Sequence, residues 1–96
     1  ELDRGRVSRA DGSEIRLTPT EWHLLEVLAR CAGAVVPHAE LLREVWGEGR
    51  EKDVNYLRIY IAQLRAKLEL DPAEPRHLIT VQGRGYRFDA VAQDLV

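Results

Sequence analysis

The chain has 96 residues, 45% of them hydrophobic and 31% charged, enough for one small domain around a single core, since a chain this short buries only about two-thirds of its extended surface. Sixteen acids against fourteen Lys and Arg give a formal net charge of -2 at pH 7, so the chain as a whole lacks the basic balance usual in nucleic-acid binders. No apolar run approaches the ~18 residues of a membrane span, and the single cysteine, Cys31, excludes an intrachain disulfide and a multi-thiolate metal site.

The first residues, ELDRGRVSR, contain no signal-peptide apolar core, and the whole is read as a cytoplasmic protein with no membrane partner. With Glu1 first and no start Met, the expectation is a domain excised from something longer. The stretch RVSRADGSEIRL alternates around Ala10-Asp11-Gly12-Ser13, a turn composition, and predicts a β-hairpin with a modest apolar face of Val7, Ile15 and Leu17. TPTE then opens a helix. Thr18 caps, Pro19 suits the first helical position and Glu21 completes a capping box. Trp22, Leu24, Leu25, Val27, Leu28 and Ala32 form a broad apolar stripe ending at Gly33, so the first helix is predicted over Pro19 to Ala32.

A second, short amphipathic helix reads from HAELLREVW, with Leu41, Leu42, Val45 and Trp46 on one side and Gly47 as its stop. Pro37 bars continuity with the first helix. After the polar loop GEGREK, the segment DVNYLRIYIAQLRAKLEL resumes helical spacing until Asp71-Pro72 closes it. Its core stripe is Leu57, Ile61, Leu64 and Leu68. DPAEPRH connects to LITVQ, a strand composition, and GRG turns the chain into YRF as its partner strand. Gly83 and Gly85 are expected to make a tight hairpin that lifts Arg84 to its tip.

The net charge conceals a partition. Val54 to Leu68 holds Arg58, Arg65 and Lys67 without an acid, and Pro75 to Phe88 holds Arg76, Arg84 and Arg87 without an acid. One base-rich segment is more often a solvated face, but two such segments, a helix and a hairpin, define a candidate positive face. On a helical wheel the core stripe turns Asn55, Ile59, Ala62 and Ala66 outward, with Arg58, Gln63 and Arg65 on the flanks. Such a face suits the major groove of double-stranded DNA. Small residues allow close approach, Gln63 can pair with an adenine edge, Ile59 can meet a thymine methyl, and arginine holds phosphate or guanine. The competing reading of Ile59 is packing against another part of a longer protein. Arg84 at the hairpin tip would reach a minor groove or a phosphate, or else stand as a solvated turn residue. GRG lacks the third glycine and following helix of a phosphate-binding fingerprint.

Catalysis is the poorest reading. His23, His38 and His77 are widely spaced, without a HExxH, CxxC or nucleophile-elbow pattern, so neither an enzyme nor a metal or other cofactor is expected. Cys31, near the apolar end of the first helix, is read as a small packing residue. The functional alternative to DNA binding is a protein-interaction module whose basic face meets an acidic protein.

LTPTEWHLLEVLA, AGAVV, ELLREVWG, the ending LRAKLE and the final GRGYRF resemble, in order and over nearly the whole chain, the winged-helix effector domain of OmpR/PhoB-type response regulators. Within that family, NYLRIYIAQLRAKLELDPAEPRHLITVQGRGYRF is similar to the regulators of high-affinity potassium uptake. The resemblance implies an α+β winged helix-turn-helix: three helices, an N-terminal β-hairpin and a C-terminal β-hairpin wing, spanning residues 1–96 as one DNA-binding effector domain of a two-component transcriptional regulator. It places Asn55, Arg58, Ile59, Ala62, Gln63 and Arg65 on the DNA-facing helix and Thr80, Gln82 and Arg84 on the wing. Loop residues Gly47, Glu48, Gly49, Arg50, Glu51 and Lys52 correspond to the segment through which some members touch RNA polymerase. An N-terminal receiver domain, its sensor histidine kinase and tandem dimers on DNA are implied by the family alone. This chain departs from the pattern in three places. Pro37 stands where Ser or Thr often caps, leaving Glu40 only dipole compensation. Gln82 stands where some members carry arginine, and the strands that usually precede the first hairpin are largely absent, so an incomplete N-terminal sheet is expected.

Overall fold

The computed structural model describes residues 12–89 in full and, before them, the backbone of two short strands. In chain order the elements are β1 (Leu2–Asp3), β2 (Arg6–Ser8), β3 (Glu14–Arg16), α1 (Pro19–Arg30), β4 (Val35–Pro37), α2 (His38–Trp46), α3 (Val54–Leu68), β5 (Leu78–Val81) and β6 (Gly85–Phe88). The strands form two antiparallel sheets, β1-β2-β3 and β4-β6-β5. This is the α+β arrangement expected, with three helices and the final hairpin in place.

The first sheet carries one strand more than the predicted hairpin. Val7 pairs with Ile15 and Ser8 with Glu14, while Leu2 joins the outer edge opposite Val7. Two residues are too few to show an alternation, so sequence periodicity had nothing to detect there. The turn residues Ala10 and Asp11 and the side chain of Val7 lie outside the described residues. Ile15 and Leu17 are buried, as the hairpin's expected apolar face requires.

α1 begins with the full capping box: the Glu21 N–H donates to Thr18 Oγ1 at 3.2 Å, and the Thr18 N–H donates to Glu21 Oε1 at 2.9 Å. It ends two residues earlier than predicted. The N–H groups of Cys31 and Ala32 bond three residues back, to Leu28 and Ala29, which tightens the last turn and unwinds it. Cys31 is thereby exposed rather than packed, which corrects the expectation drawn from its apolar neighbours.

β4, too short to show a strand pattern, buries Val36 and pairs with β6 through Val35–Arg87, Val36–Tyr86 and Pro37–Gly85. It runs straight into α2. Pro37, at the cap position, offers no side-chain bond. The His38 N–H instead donates to the backbone carbonyl of Arg84 at 3.3 Å, so the hairpin supplies a partner that the local sequence lacks.

α3 presents Leu57, Ile61 and Leu64 to the core, with Leu68 half-buried beside them. These pack with Leu24, Leu28, Leu41, Leu42 and Leu78, all completely buried. The helix stops at Leu68 rather than running to Asp71, because Glu69 turns to extended backbone (φ -84°, ψ 143°) and sends its carboxylate back toward β5.

Candidate nucleic-acid interface

The core stripe of α3 leaves a face with no packing partner among the described residues. Asn55, Arg58, Ile59, Ala62, Gln63 and Ala66 are all exposed, Ile59 by 55% of its surface, and the wheel drawn from the sequence is reproduced. Tyr56 joins them at 39% exposure, an aromatic edge that the wheel reading did not single out. Among the described residues, the Arg58 guanidinium reaches only Asn55 Oδ1, at 3.3 Å. No carboxylate occurs between Val54 and Leu68, so the face keeps its charge.

Arg65 is held differently. It is half-buried, its Nε and NH2 groups donate to the Leu78 carbonyl at 3.0 and 2.8 Å, and NH2 also donates to Thr80 Oγ1 at 2.8 Å. Its guanidinium carbon lies 6.0 Å from the centre of the Tyr86 ring. Arg65 and Thr80, each expected to face DNA, thus meet each other. Only a contact between residues 15 apart brings them together, and no local pattern marks it.

The wing is a hairpin in which Val81 pairs with Gly85 and Gln82, Gly83 and Arg84 form the loop, all three exposed. Gly83 takes φ 73°, the left-handed conformation the turn needs. Gly85 serves another purpose. A Cβ there would stand 2.0 Å from the Val36 carbonyl oxygen and 2.8 Å from Pro37 Cα, so its lack of a side chain is what lets β6 lie against β4. The Arg84 backbone is tied on both sides, its N–H to Val81 at 2.9 Å and its carbonyl to His38, while its side chain is exposed.

The charge partition narrows in three dimensions. Of the six bases, Lys67 bonds Glu21 and the Arg16 carbonyl, Arg87 makes a two-pronged pair with Asp89 at 2.8 and 2.9 Å, and Arg65 holds the wing. Arg58, Arg76 and Arg84 have no carboxylate partner among the described residues. Burial pushes the Glu21 carboxyl up, but hydrogen bonds from Lys67 and Thr18 together outweigh it and hold the group below its ordinary value. Hydrogen bonding from Arg87 likewise lowers Asp89.

The loop from Gly47 to Lys52 is pinned rather than free. Arg43 pairs with Glu51 at 3.9 Å, Arg50 pairs with Asp53, and the Arg50 guanidinium sits 5.4 Å from the Tyr56 ring centre. Trp46, Tyr56 and Tyr60 meet edge-to-face at 5.1 to 5.3 Å and join the end of α2 to the start of α3 on either side of the loop. The spacing of Tyr56 and Tyr60, one helical turn apart, was the available signal for this cluster.

The histidines do not converge. His38 meets the Tyr86 ring edge-on at 5.5 Å, and His77 stacks on Phe88 with its Nδ1 2.9 Å from the Asp89 carbonyl oxygen. Among the described residues no three His, Cys, Asp or Glu side chains are grouped to hold a metal, and no helix is long and apolar enough to cross a membrane.

An exposed helix face beside a glycine-turned wing is the architecture of winged-helix DNA-binding domains. Residues 12–88 match the family of the C-terminal domain of transcriptional regulatory proteins, and the chain belongs to it, as an OmpR/PhoB-type output domain rather than an enzyme. The transcriptional regulatory protein KdpE of Mycobacterium tuberculosis is 58% identical over 86 residues, which cover 90% of this chain and 38% of that protein. The chain therefore spans well under half the length of this relative. Among solved structures, the response regulator DrrB of Thermotoga maritima, an OmpR/PhoB homologue, superposes with a TM-score of 0.70 at 34% identity, covering 82% of this chain and 36% of DrrB. The DNA-binding domain of RstA from Klebsiella pneumoniae, determined in complex with the RstA box, gives a TM-score of 0.68 at 30% identity, covering 81% and 77% of the two chains.

Proposed function

We propose that this DNA-binding domain reads a specific duplex sequence by laying α3 in the major groove and the wing in the adjacent minor groove. The observation that carries the reading is the outer face of α3, where Ile59 is exposed between small and amide side chains and Arg58 has no acid to neutralise it among the described residues. Arg58 meets phosphate or guanine, Gln63 and Asn55 read base edges, Ile59 and Ala62 allow close approach, and Arg84 enters the minor groove with Gln82 beside it. Arg76, at the foot of the wing and already one of the bases of the acid-free final segment, is a further phosphate contact.

The likeness to KdpE supports a potassium-uptake operon as the target. Residues 1–96 would then be the effector half of a cytoplasmic response regulator whose receiver domain takes its signal from a sensor histidine kinase. On DNA, two copies would stand in tandem, with the loop from Gly47 to Lys52 turned to RNA polymerase.

Fluorescence anisotropy of a labelled duplex, titrated with the chain at several salt concentrations, tests the central claim. Affinity should fall steeply with salt, as counterion release requires. Absence of binding even at low salt would reject this reading and leave an acidic protein as the partner of the basic face.

A further inference from the structure

Leu78 is gripped on both of its polar groups by the end of α3 and the residue that follows it. Its N–H donates to Glu69 Oε2 at 2.8 Å, and its carbonyl accepts both donors of Arg65. Arg65 lies in the last turn of α3 and Glu69 just past its end, in extended backbone, so the C-terminal end of the helix and the residue that follows it together hold a single residue of β5. Glu69 also accepts the N–H groups of Arg76 at 2.9 Å and His77 at 3.0 Å, and its carboxylate is buried. β5 is the outer strand of its sheet, and these two side chains occupy the backbone groups that an edge strand would leave open.

The two grips are unequal in reach. Glu69 holds the strand's entry, from Arg76 to Leu78, whereas Arg65 reaches past Leu78 to the Thr80 hydroxyl, two residues before the loop that carries Arg84. The opposite flank of the hairpin is fastened to β4 and to the first turn of α2. Among the described residues, the side-chain hydrogen bonds from α3 to the distal half of the wing come from Arg65.

We propose that Arg65 is a positioning residue for DNA recognition: it sets the stance of the wing on α3, and so the spacing between the major-groove and minor-groove contacts, rather than binding DNA itself. This rests on the groove assignment above. The guanidinium suits the task because its planar fork delivers three bonds in a fixed direction, to an acceptor carbonyl and a hydroxyl, where lysine would deliver a point charge on a flexible stem. Its value to affinity passes through Arg84. A wing that swings on its β4 attachment would present Arg84 at the wrong distance from the helix, while α3 would keep its own contacts.

The test has one arm without DNA and one with it. In the 96-residue chain, NMR residual dipolar couplings should show β5 and β6 reoriented relative to α3 in Arg65→Met, less so in Thr80→Val; an unchanged wing in a folded Arg65→Met overturns the inference. For the second arm the probe is a labelled duplex selected from a random-sequence pool by the unmodified chain. Arg65→Met should lose about tenfold in affinity, and Arg84→Ala should then cost little more in that background, although it is costly alone. Additive losses, with a salt slope reduced by about one in Arg65→Met, would mark Arg65 as a phosphate contact and overturn the proposal. If Arg65→Met does not fold, Arg65→Lys and Thr80→Val carry the same cycle. Failure of the unmodified chain to select any duplex sinks the DNA reading itself, and the positioning role with it.

Discussion

Gly83 and Gly85 sit two residues apart and are irreplaceable for opposite reasons. Gly83 has open space around it and a positive φ, so Gly83→Ala should cost only the strain of an L-residue in the left-handed region, about 1–2 kcal/mol. Gly85 has backbone atoms where its Cβ would be. Backbone cannot step aside as a side chain can, so Gly85→Ala should exceed roughly 3 kcal/mol, the upper end for ordinary overpacking, by prising β6 from β4. Thermal unfolding of the two variants side by side checks the order; equal losses would refute the account. Glu69 is comparably committed. Glu69→Ala leaves three backbone N–H groups without their acceptor and should lose roughly 2–3 kcal/mol in denaturant unfolding, where Glu69→Gln, which keeps one acceptor oxygen, loses less.

Among the elements, α1 and α3 are joined electrostatically as well as by packing. Glu21 belongs at once to the capping box of α1 and to Lys67 near the end of α3. Thr18→Ala removes the cap and should destabilise by about 1 kcal/mol, measured by denaturant titration. The same joint makes stability depend on pH. The folded state holds the Glu21 carboxyl below its ordinary value of 4.5, so its contribution is fully present above that value and is lost as pH falls through the lower, folded one. Asp89, lowered by Arg87, adds a dependence of the same sign. Glu21→Gln should therefore flatten the acid limb of the stability curve; a limb unchanged in shape would show that other carboxylates govern it. Helix starts were the most legible elements, because Thr18, Pro19 and Glu21 act on backbone groups three residues away. The start of α2 was legible too, from Pro37 and HAELLREVW, but the partner of its first N–H was not. Its missing cap is answered by the Arg84 carbonyl, 46 residues further along the chain, and the three residues of β4 become a strand only because β6 lies beside them.

For the whole molecule, a formal charge of -2 and a DNA-binding surface coexist because the acids are placed elsewhere. On the proposed reading, recognition then depends on few cations. Arg58→Ala and Arg84→Ala should each weaken duplex binding and lower the salt slope by about one, because each takes away one phosphate-region contact and the counterion it releases. Salt-titrated anisotropy of both variants reads this directly, and unchanged slopes in both would remove them from the interface. Lys67→Ala and Arg87→Ala, whose charges are already paired, should lose stability while the slope stays near that of the unmodified chain.

The sequence by itself determined the class of fold, the three helices and the outward face of α3. Periodicity and capping are local, and an amphipathic helix has only one way to bury Leu57, Ile61 and Leu64. The acid-free helix and hairpin were likewise visible in composition. Tertiary structure alone decided which of those bases remain available. Lys67, Arg87 and Arg65 carry the same charge as Arg58 and Arg84, yet the first three spend it on Glu21, Asp89 and the wing backbone. Two of those pairings join residues far apart in the chain, and a side chain's partner across such a distance is set by how helices and strands pack, which no local pattern encodes.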